Sequence, residues 1–265
     1  MSYCDPLSKI IRSYHNTEII KIDACYIGTN EQNLSMTEKL ISEHQYTGCH
    51  LGVSGYFNFD VAWWGKSNRI IICDINPHQV IFLKQTLKIM CESNNRTIFF
   101  DRMTKYLDLK LQEHNVEIRE KSYLGYELLT MRFYPNISND NSYANDMDMD
   151  NQVKYELARK GSWLSNENSY NYIRKLALGD LIAVFCEDIR CVNVFQKLRS
   201  LFIENQIRID TIYLSNVYDF LDSEDKLRYN HNIKSIINND TLIIESEHKI
   251  GLYQTVVTGE KFLTR

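Results

Sequence analysis

Apolar residues along this chain fall into two kinds of run. Short, continuous, often β-branched runs end abruptly at glycine or at polar residues. Elsewhere apolar positions recur every three or four residues. The first kind predicts strands and the second helices. The run Cys49-His50-Leu51-Gly52-Val53 stops at Ser54-Gly55, as a buried strand followed by a turn would. Residues 69–75, Arg-Ile-Ile-Ile-Cys-Asp-Ile, are apolar almost throughout and suit a central parallel strand covered on both faces. Asn76-Pro77 ends that strand and opens a helix whose stripe is Val80, Leu83, Leu87 and Met90. Residues 181–186 and 209–214 predict two more strands, and residues 190–204 a helix with Val194, Leu198 and Leu201 on one face. A short helix or turn is expected over 217–222. Two late β-rich runs, Thr241–Ile244 and Tyr253–Thr258, read as a closing hairpin around Gly251.

Strands alternating with helices imply an α/β fold, here Rossmann-like, with a mainly parallel sheet flanked by helices and a closing antiparallel hairpin. Residues 1–45 read as an N-terminal helical lead-in, with a helix over 31–45 that uses Leu34, Leu40 and Ile41. Residues 46–265 form the Rossmann-like domain, carrying a helical and loop insertion over about 95–165. Within it, 96–118 is charged and helical, and 134–152 is polar without apolar period, a long exposed loop. Asp146, Asp148 and Asp150 alternate like the first ligands of a calcium loop, but Asn151 and Leu157 stand where glycine and glutamate belong, so a solvated acidic loop is expected.

Composition narrows the class. Ten Gly and 3 Pro in 265 residues, with 44% hydrophobic content, exclude a collagen-like or Gly/Pro-rich disordered chain. No run has the length of a membrane span, and the first residues lack a signal-peptide core. Thirty Lys and Arg against 34 Asp and Glu give a net charge of −4, which argues against general nucleic-acid binding. The 7 cysteines are scattered without a close pair, as expected of reduced thiols in a cytoplasmic protein. Export into another cell stays open. His44, Cys49 and His50 lack zinc-ligand spacing, so no metal site is expected.

Ligands of open α/β sheets bind at the carboxyl ends of the strands. Four such ends carry small or polar residues here. Gly52-Val53-Ser54-Gly55 would let a ligand approach the backbone, or is an ordinary tight turn. Asp74 follows at about the 20-residue spacing from which a carboxylate accepts ribose hydroxyls, or caps the next helix. Glu187-Asp188 could face a nucleobase amine. Ser215-Asn216, with Tyr218 beyond, would face the reacting part of a cofactor or cap the next turn.

The run from Gly52 through Asp74 to Asn216 resembles a class I S-adenosylmethionine-dependent methyltransferase domain. That resemblance implies cofactor contacts from Gly52, Ser54, Gly55, Asp74, Asp188 and Ser215, with Asn216 at the reaction site. His50 stands where an acidic residue is usual, and the acceptor motif Asn-Pro-Pro-Tyr is absent. Asp74-Ile75-Asn76-Pro77-His78-Gln79 resembles the second-strand motif of the 3-amino-3-carboxypropyl transferases that build betaine lipids. The chain as a whole is similar to a poorly characterised methyltransferase-like family of bacteria and plants. Asn30-Glu31-Gln32, Leu51-Gly52-Val53 with Asn58-Phe59, Asp74-Ile75, Trp163-Leu164 and 213–217 carry that likeness.

Asn30 and Glu31 would then fold over the cofactor, or Asn30 would cap the helix with Glu31 at its positive end. Trp63-Trp64 are expected to pack the helix after the glycine loop. The expected function is transfer of a methyl or 3-amino-3-carboxypropyl group from S-adenosylmethionine to an unknown acceptor, whether small molecule, lipid headgroup or protein. Glu31, Asn216 and Tyr218 would be catalytic, with Glu31 or Tyr218 taking the acceptor's proton. Asn30, Gly52, Ser54, Gly55, Asp74, Ile75, Asp188 and Ser215 would hold the cofactor. The competing expectation is an inactive descendant of the fold serving as an interaction or effector protein. A nicotinamide-dependent oxidoreductase is a third reading, without its third glycine or a hydride-transfer partner.

Overall fold

Strand β2 (Arg69–Asp74) shows how the sequence builds the sheet. Ile70 and Ile72 pack with one helical layer, while Ile71 and Cys73 pack with the other. Successive strand side chains point to opposite faces, so an unbroken apolar run requires helices on both. In the computed structural model, residues 5–14, 29, 31, 33–44, 47–113, 161–248 and 252–265 are described. The expected loop over 134–152, its three aspartates and Asn30 lie outside these residues, as do Cys4 and Cys25.

The sheet has six strands in the order β3-β2-β1-β4-β5-β6. These are β1 (Cys49–Gly52), β2, β3 (Ile182–Cys186), β4 (Ile209–Ser215), β5 (Leu242–His248) and β6 (Leu252–Thr258). The first five are parallel, and β6 closes the edge antiparallel to β5. The hairpin is longer than the sequence predicts, because Glu245 and Ser246 continue the pairing and are buried despite their polarity. Strand order reverses between β1 and β4, the switch point where ligands of such sheets bind.

Helices α3 (Phe57–Trp64), α4 (Pro77–Glu92), α5 (Arg96–Glu113) and α6 (Glu167–Leu178) cover one face. Asn76 caps α4, its side chain accepting from the His78 amide at 2.9 Å with Pro77 in the first turn. Trp163 fills the centre of this layer against Tyr56, Phe59 and Phe99. The other face is covered by α1 (Pro6–Arg12), α7 (Val192–Glu204), α8 (Ser223–Ile236) and α9 (Gly259–Leu263). The described part of the lead-in joins the same core. Leu7 and Ile11 of α1 pack under β3, and Arg12 pairs with Asp180 at 2.7 Å.

Helix α2 (Leu34–Ser42) is shorter than the expected helix over 31–45. Asn33, at a φ of +73°, occupies its N-cap position, so Glu31 lies before the helix rather than in its first turn. Leu34, Thr37 and Ile41 face inward, and Leu40 turns to solvent. Among the described residues, no helix is long and apolar enough to cross a membrane.

Candidate functional site

Two serines mark the carboxyl ends that flank the switch point. Ser54 after β1 has a φ of +68°, and Ser215 at the end of β4 has a φ of +51°. Non-glycine residues seldom adopt this left-handed conformation, which persists only where surrounding contacts enforce it. Each serine is tied to a carboxylate. The Ser54 amide donates to Asp74 Oδ2 at 2.8 Å, and Ser215 Oγ donates to Glu31 Oε1 at 2.7 Å.

The β1 side is a closed network. His50 is fully buried between β4 and α3. Asn58 Nδ2 donates to the Val53 and Gly55 carbonyls at 2.7 and 2.8 Å, so its Oδ1 faces the imidazole. His50 Nε2–H donates to that oxygen at 3.0 Å, and Nδ1 accepts from Thr211 Oγ1 at 2.9 Å. This partner set selects the neutral ring with its proton on Nε2. Burial drives the His50 pKa down to about 4. His50, standing where the resemblance has an acidic residue, therefore holds Asn58, and Asn58 holds the turn. A Cβ on Gly52 would lie 1.8 Å from Asn58 Oδ1, so glycine is required there for the side chain to enter.

Asp74 joins this turn to the next. Its Oδ1 accepts the Asn76 amide and its Oδ2 the Ser54 amide, both at 2.8 Å. Burial nonetheless raises its pKa to about 6, against the lowering effect of these two bonds. The carboxyl is half-buried, and each oxygen keeps a further acceptor position. Ile75 beside it is half-buried, its carbonyl 3.7 Å from Cys186 Sγ.

The β4 side is built around Glu31, whose exposure is 0%. Its Oε1 accepts from Tyr213 Oη at 3.0 Å as well as from Ser215, and its Oε2 accepts from Gln254 Nε2 at 2.5 Å. The Glu31 amide donates to Thr29 Oγ1 at 3.2 Å. Burial and the Glu31 carboxylate keep the Tyr213 phenol protonated, its pKa well above the ordinary value. Ser215 and Asn216 are half-buried and form the outer edge of the cluster, with Asn216 Oδ1 3.3 Å from Ser215 Oγ.

The other expected residues are occupied differently. Asp188 pairs with Arg190 through both oxygens, at 2.8 and 2.9 Å to Nε, and Arg190 reaches on to Asp225 of α8. Tyr218 is 38% exposed and leans on Tyr229, with Lys226 Nζ 4.6 Å from its ring centre. Trp64 donates to the Gly161 carbonyl at 2.7 Å, and Trp63 packs edge-on to Tyr172, both within the helical layer. The structure thus gathers Gly52, Ser54, Gly55 and Asp74 into one network and Glu31, Ser215 and Asn216 into a second. Asp188 and Tyr218 lie in separate contacts.

Sequence reasoning did not single out Tyr213, Gln254, Thr29, Thr211 or the role of Asn58. Asn58 carried one signal, a carboxamide inside the apolar stretch Phe57–Trp64 six residues past Gly52. Gln254 carried none, being 223 positions from its partner.

A family model described as Domain of unknown function (DUF7790) matches residues 26–259. No curated protein matches the chain.

Proposed function

This chain belongs to the DUF7790 family, and we propose that it is a transferase using S-adenosylmethionine. The observation that carries this reading is that Asp74, at the end of β2, ties its own turn to the turn after β1, which borders the switch point of a 3-2-1-4-5 parallel sheet. A carboxylate with acceptor positions left over, beside a turn fixed by Asn58, suits a ribose diol. The residues that would hold the cofactor are Gly52, Ser54, Gly55, Asp74 and Ile75, with Ser215 toward the reacting end. Asp188 fits less well as a nucleobase acceptor, because Arg190 already spans both its oxygens.

The cofactor would supply an electrophilic carbon on sulfonium, so the chain needs to orient the acceptor and exclude water rather than supply strong acids or bases. Glu31 is too deeply buried to meet an acceptor directly. It would take a proton through Ser215 Oγ, which gives its own proton to Oε1 while receiving another from the acceptor. Ser215 and Asn216 are then the groups that touch the acceptor. Tyr218, packed on Tyr229, is the poorer candidate for proton transfer. Methyl and 3-amino-3-carboxypropyl transfer share this arrangement.

The second reading is a non-catalytic interaction protein. It is favoured by one observation, that Asp188 is neutralised within the chain by Arg190. Calorimetry with S-adenosylmethionine and S-adenosylhomocysteine separates the two readings. Micromolar binding that is lost in Asp74→Ala supports the transferase. A folded sample that binds neither compound overturns it and leaves the interaction protein.

A further inference from the structure

The peptide unit between Val53 and Ser54 is gripped at both ends. Asn58 Nδ2 donates to its Val53 carbonyl at 2.7 Å, and its Ser54 amide donates to Asp74 Oδ2 at 2.8 Å. Asn58 cannot be turned around, because Oδ1 would then face the Val53 and Gly55 carbonyls. Its Oδ1 therefore takes the His50 Nε2–H at 3.0 Å, and His50 Nδ1 takes the Thr211 hydroxyl at 2.9 Å. Every donor in this row points the same way, from Thr211 on β4 across β1 to the end of β2.

Hydrogen bonds aligned head to tail polarise one another by about 10–30% per bond, and each is stronger where water is excluded. Thr211 is 1% exposed, and His50 and Asn58 are 0% exposed. The fold also makes room for the row. A Cβ on Gly52 would lie 1.8 Å from Asn58 Oδ1 and 3.1 Å from His50 Nε2, against the bond that joins them. Apolar side chains in place of His50 and Asn58 would pack α3 on β1 as well. What they would not supply is the grip on the Val53 carbonyl that turns the Ser54 amide toward Asp74.

We propose that Thr211 and His50 are positioning residues for the Asp74 site, acting through this row to fix the carboxylate that meets the ligand. Thr211 donates to the neutral His50 ring and so keeps the ring's own proton on the Asn58 side. Neither residue touches the ligand. The proposal rests on the reading of Asp74 as an acceptor of ribose hydroxyls, and it adds which buried groups hold the carboxylate in place for them.

The test begins with proton–nitrogen correlation spectra of the ligand-free full chain. Thr211→Val keeps the shape of the side chain and removes its hydroxyl. The Ser54 amide proton and the Asn58 side-chain amide protons should then move upfield, toward weaker hydrogen bonds. Thr211→Ser, which restores the hydroxyl, should return them. The buried Asn232 amide, which donates to the Ile189 carbonyl outside the row, should stay in place in both variants. Asp74→Asn approaches from the ligand's end. By weakening the last acceptor it should move the His50 Nε2–H signal upfield, and it decides the matter if Thr211→Val does not fold. A Ser54 amide unmoved in Thr211→Val, or a His50 signal unmoved in Asp74→Asn, overturns the proposal.

Affinity is the second arm. Thr211→Val should weaken S-adenosylhomocysteine binding about twofold to threefold, and Thr211→Ser should recover it. The 2′,3′-dideoxy analogue, which has no diol for Asp74, should bind parent and variant alike. Unchanged S-adenosylhomocysteine affinity in Thr211→Val, or an equal loss for the analogue, overturns the positioning role. A parent that does not bind S-adenosylhomocysteine sinks the transferase reading alone, because the spectra still decide the row.

Discussion

The two serine-marked ends of the sheet solve the same problem with opposite results. On the β1 side, His50, Asn58, Thr211 and the Val53 and Gly55 carbonyls exchange hydrogen bonds until the buried groups are satisfied and neutral. On the β4 side, Glu31 keeps its side chain among neutral donors, and Gln254 keeps an acceptor without a partner. A satisfied network fixes one backbone shape, here the turn that sets Asp74 in place. An unbalanced one is less stable by itself and gains when a complementary group arrives. The contrast gives a fixed shape to the turn at Ser54 and an incompletely satisfied cluster to the end at Ser215.

If the β1 network is the rigid partner, removing its central member should cost most. Asn58→Ala strips the Val53 and Gly55 carbonyls of their side-chain donor and leaves His50 Nε2–H without an acceptor. The expected loss is about 3–4 kcal/mol. Urea unfolding should show a lowered midpoint with an unchanged m-value. A loss below about 1 kcal/mol would mean that the turn holds its shape without Asn58.

The titrating groups of the same region pull in opposite directions. Folded His50 has a pKa of about 4 against the ordinary 6.5, so the unfolded chain takes up the proton first. Its contribution is whole above pH 6.5 and drains as the pH falls toward 4. Folded Asp74 has a pKa of about 6 against 3.8, so the folded chain holds that proton longer. Its contribution is whole below pH 3.8 and is lost as the pH rises toward 6. Between about pH 4 and 6 the two nearly cancel, leaving no net slope from this region. Asp74→Asn should unmask His50. Relative to the parent, the variant should gain about 3 kcal/mol between pH 4 and pH 7. Denaturant midpoints at the two pH values measure that gain. Parallel pH curves for the two proteins would refute the assignment of a raised pKa to Asp74.

Much of the frame was legible because it rests on local periodicity. The apolar runs gave β1 to β4 and the hairpin, and Asn76-Pro77 marked the start of α4. Helix α3 lies where Trp63-Trp64 implied a helix after the glycine loop, but with residues apolar nearly all round it has no polar stripe from which its bounds could be read. Helix α8 failed in the opposite way, being so polar that only Tyr229, Asn232, Ile233 and Ile236 are buried. The site was legible only where its parts sit at strand ends. Asp74 and Ser215 announced themselves by position. Gln254 met Glu31 only after the antiparallel closure of β6 brought the far end of the chain back to the lead-in. Asp188 looked available for a ligand until Arg190, two residues on, folded back onto it.

On the β4 side the expected effects are smaller, since no single bond there closes a network. Tyr213→Phe removes one of the donors to the buried carboxylate and should cost about 2 kcal/mol. Glu31→Gln should remove most of that penalty, because a neutral amide needs the phenol less. The double-mutant cycle should therefore return a coupling above about 1 kcal/mol. Additive losses would mean that Glu31 does not depend on Tyr213, and that the charge of the cluster is balanced elsewhere.

Asp188 offers the finest distinction, because it shows a third way to settle a carboxylate. Asp74 is held by backbone amides and Glu31 by neutral side chains, whereas Asp188 is held by a cation. The Arg190 side chain is 33% exposed, so its pairing contributes little to stability. Arg190→Met should cost under about 1 kcal/mol. Its effect on ligand binding should be disproportionate if a nucleoside sits at this strand end. Released from Arg190, Asp188 could accept from the exocyclic amine of adenine. One such bond would tighten S-adenosylhomocysteine binding by about fivefold. The inosine analogue of the same compound, which lacks that amine, should gain nothing. Equal affinities for both compounds in parent and variant would place the base away from β3. The Arg190 pairing would then be a brace between β3 and α8 rather than a device that withholds an acceptor from the ligand.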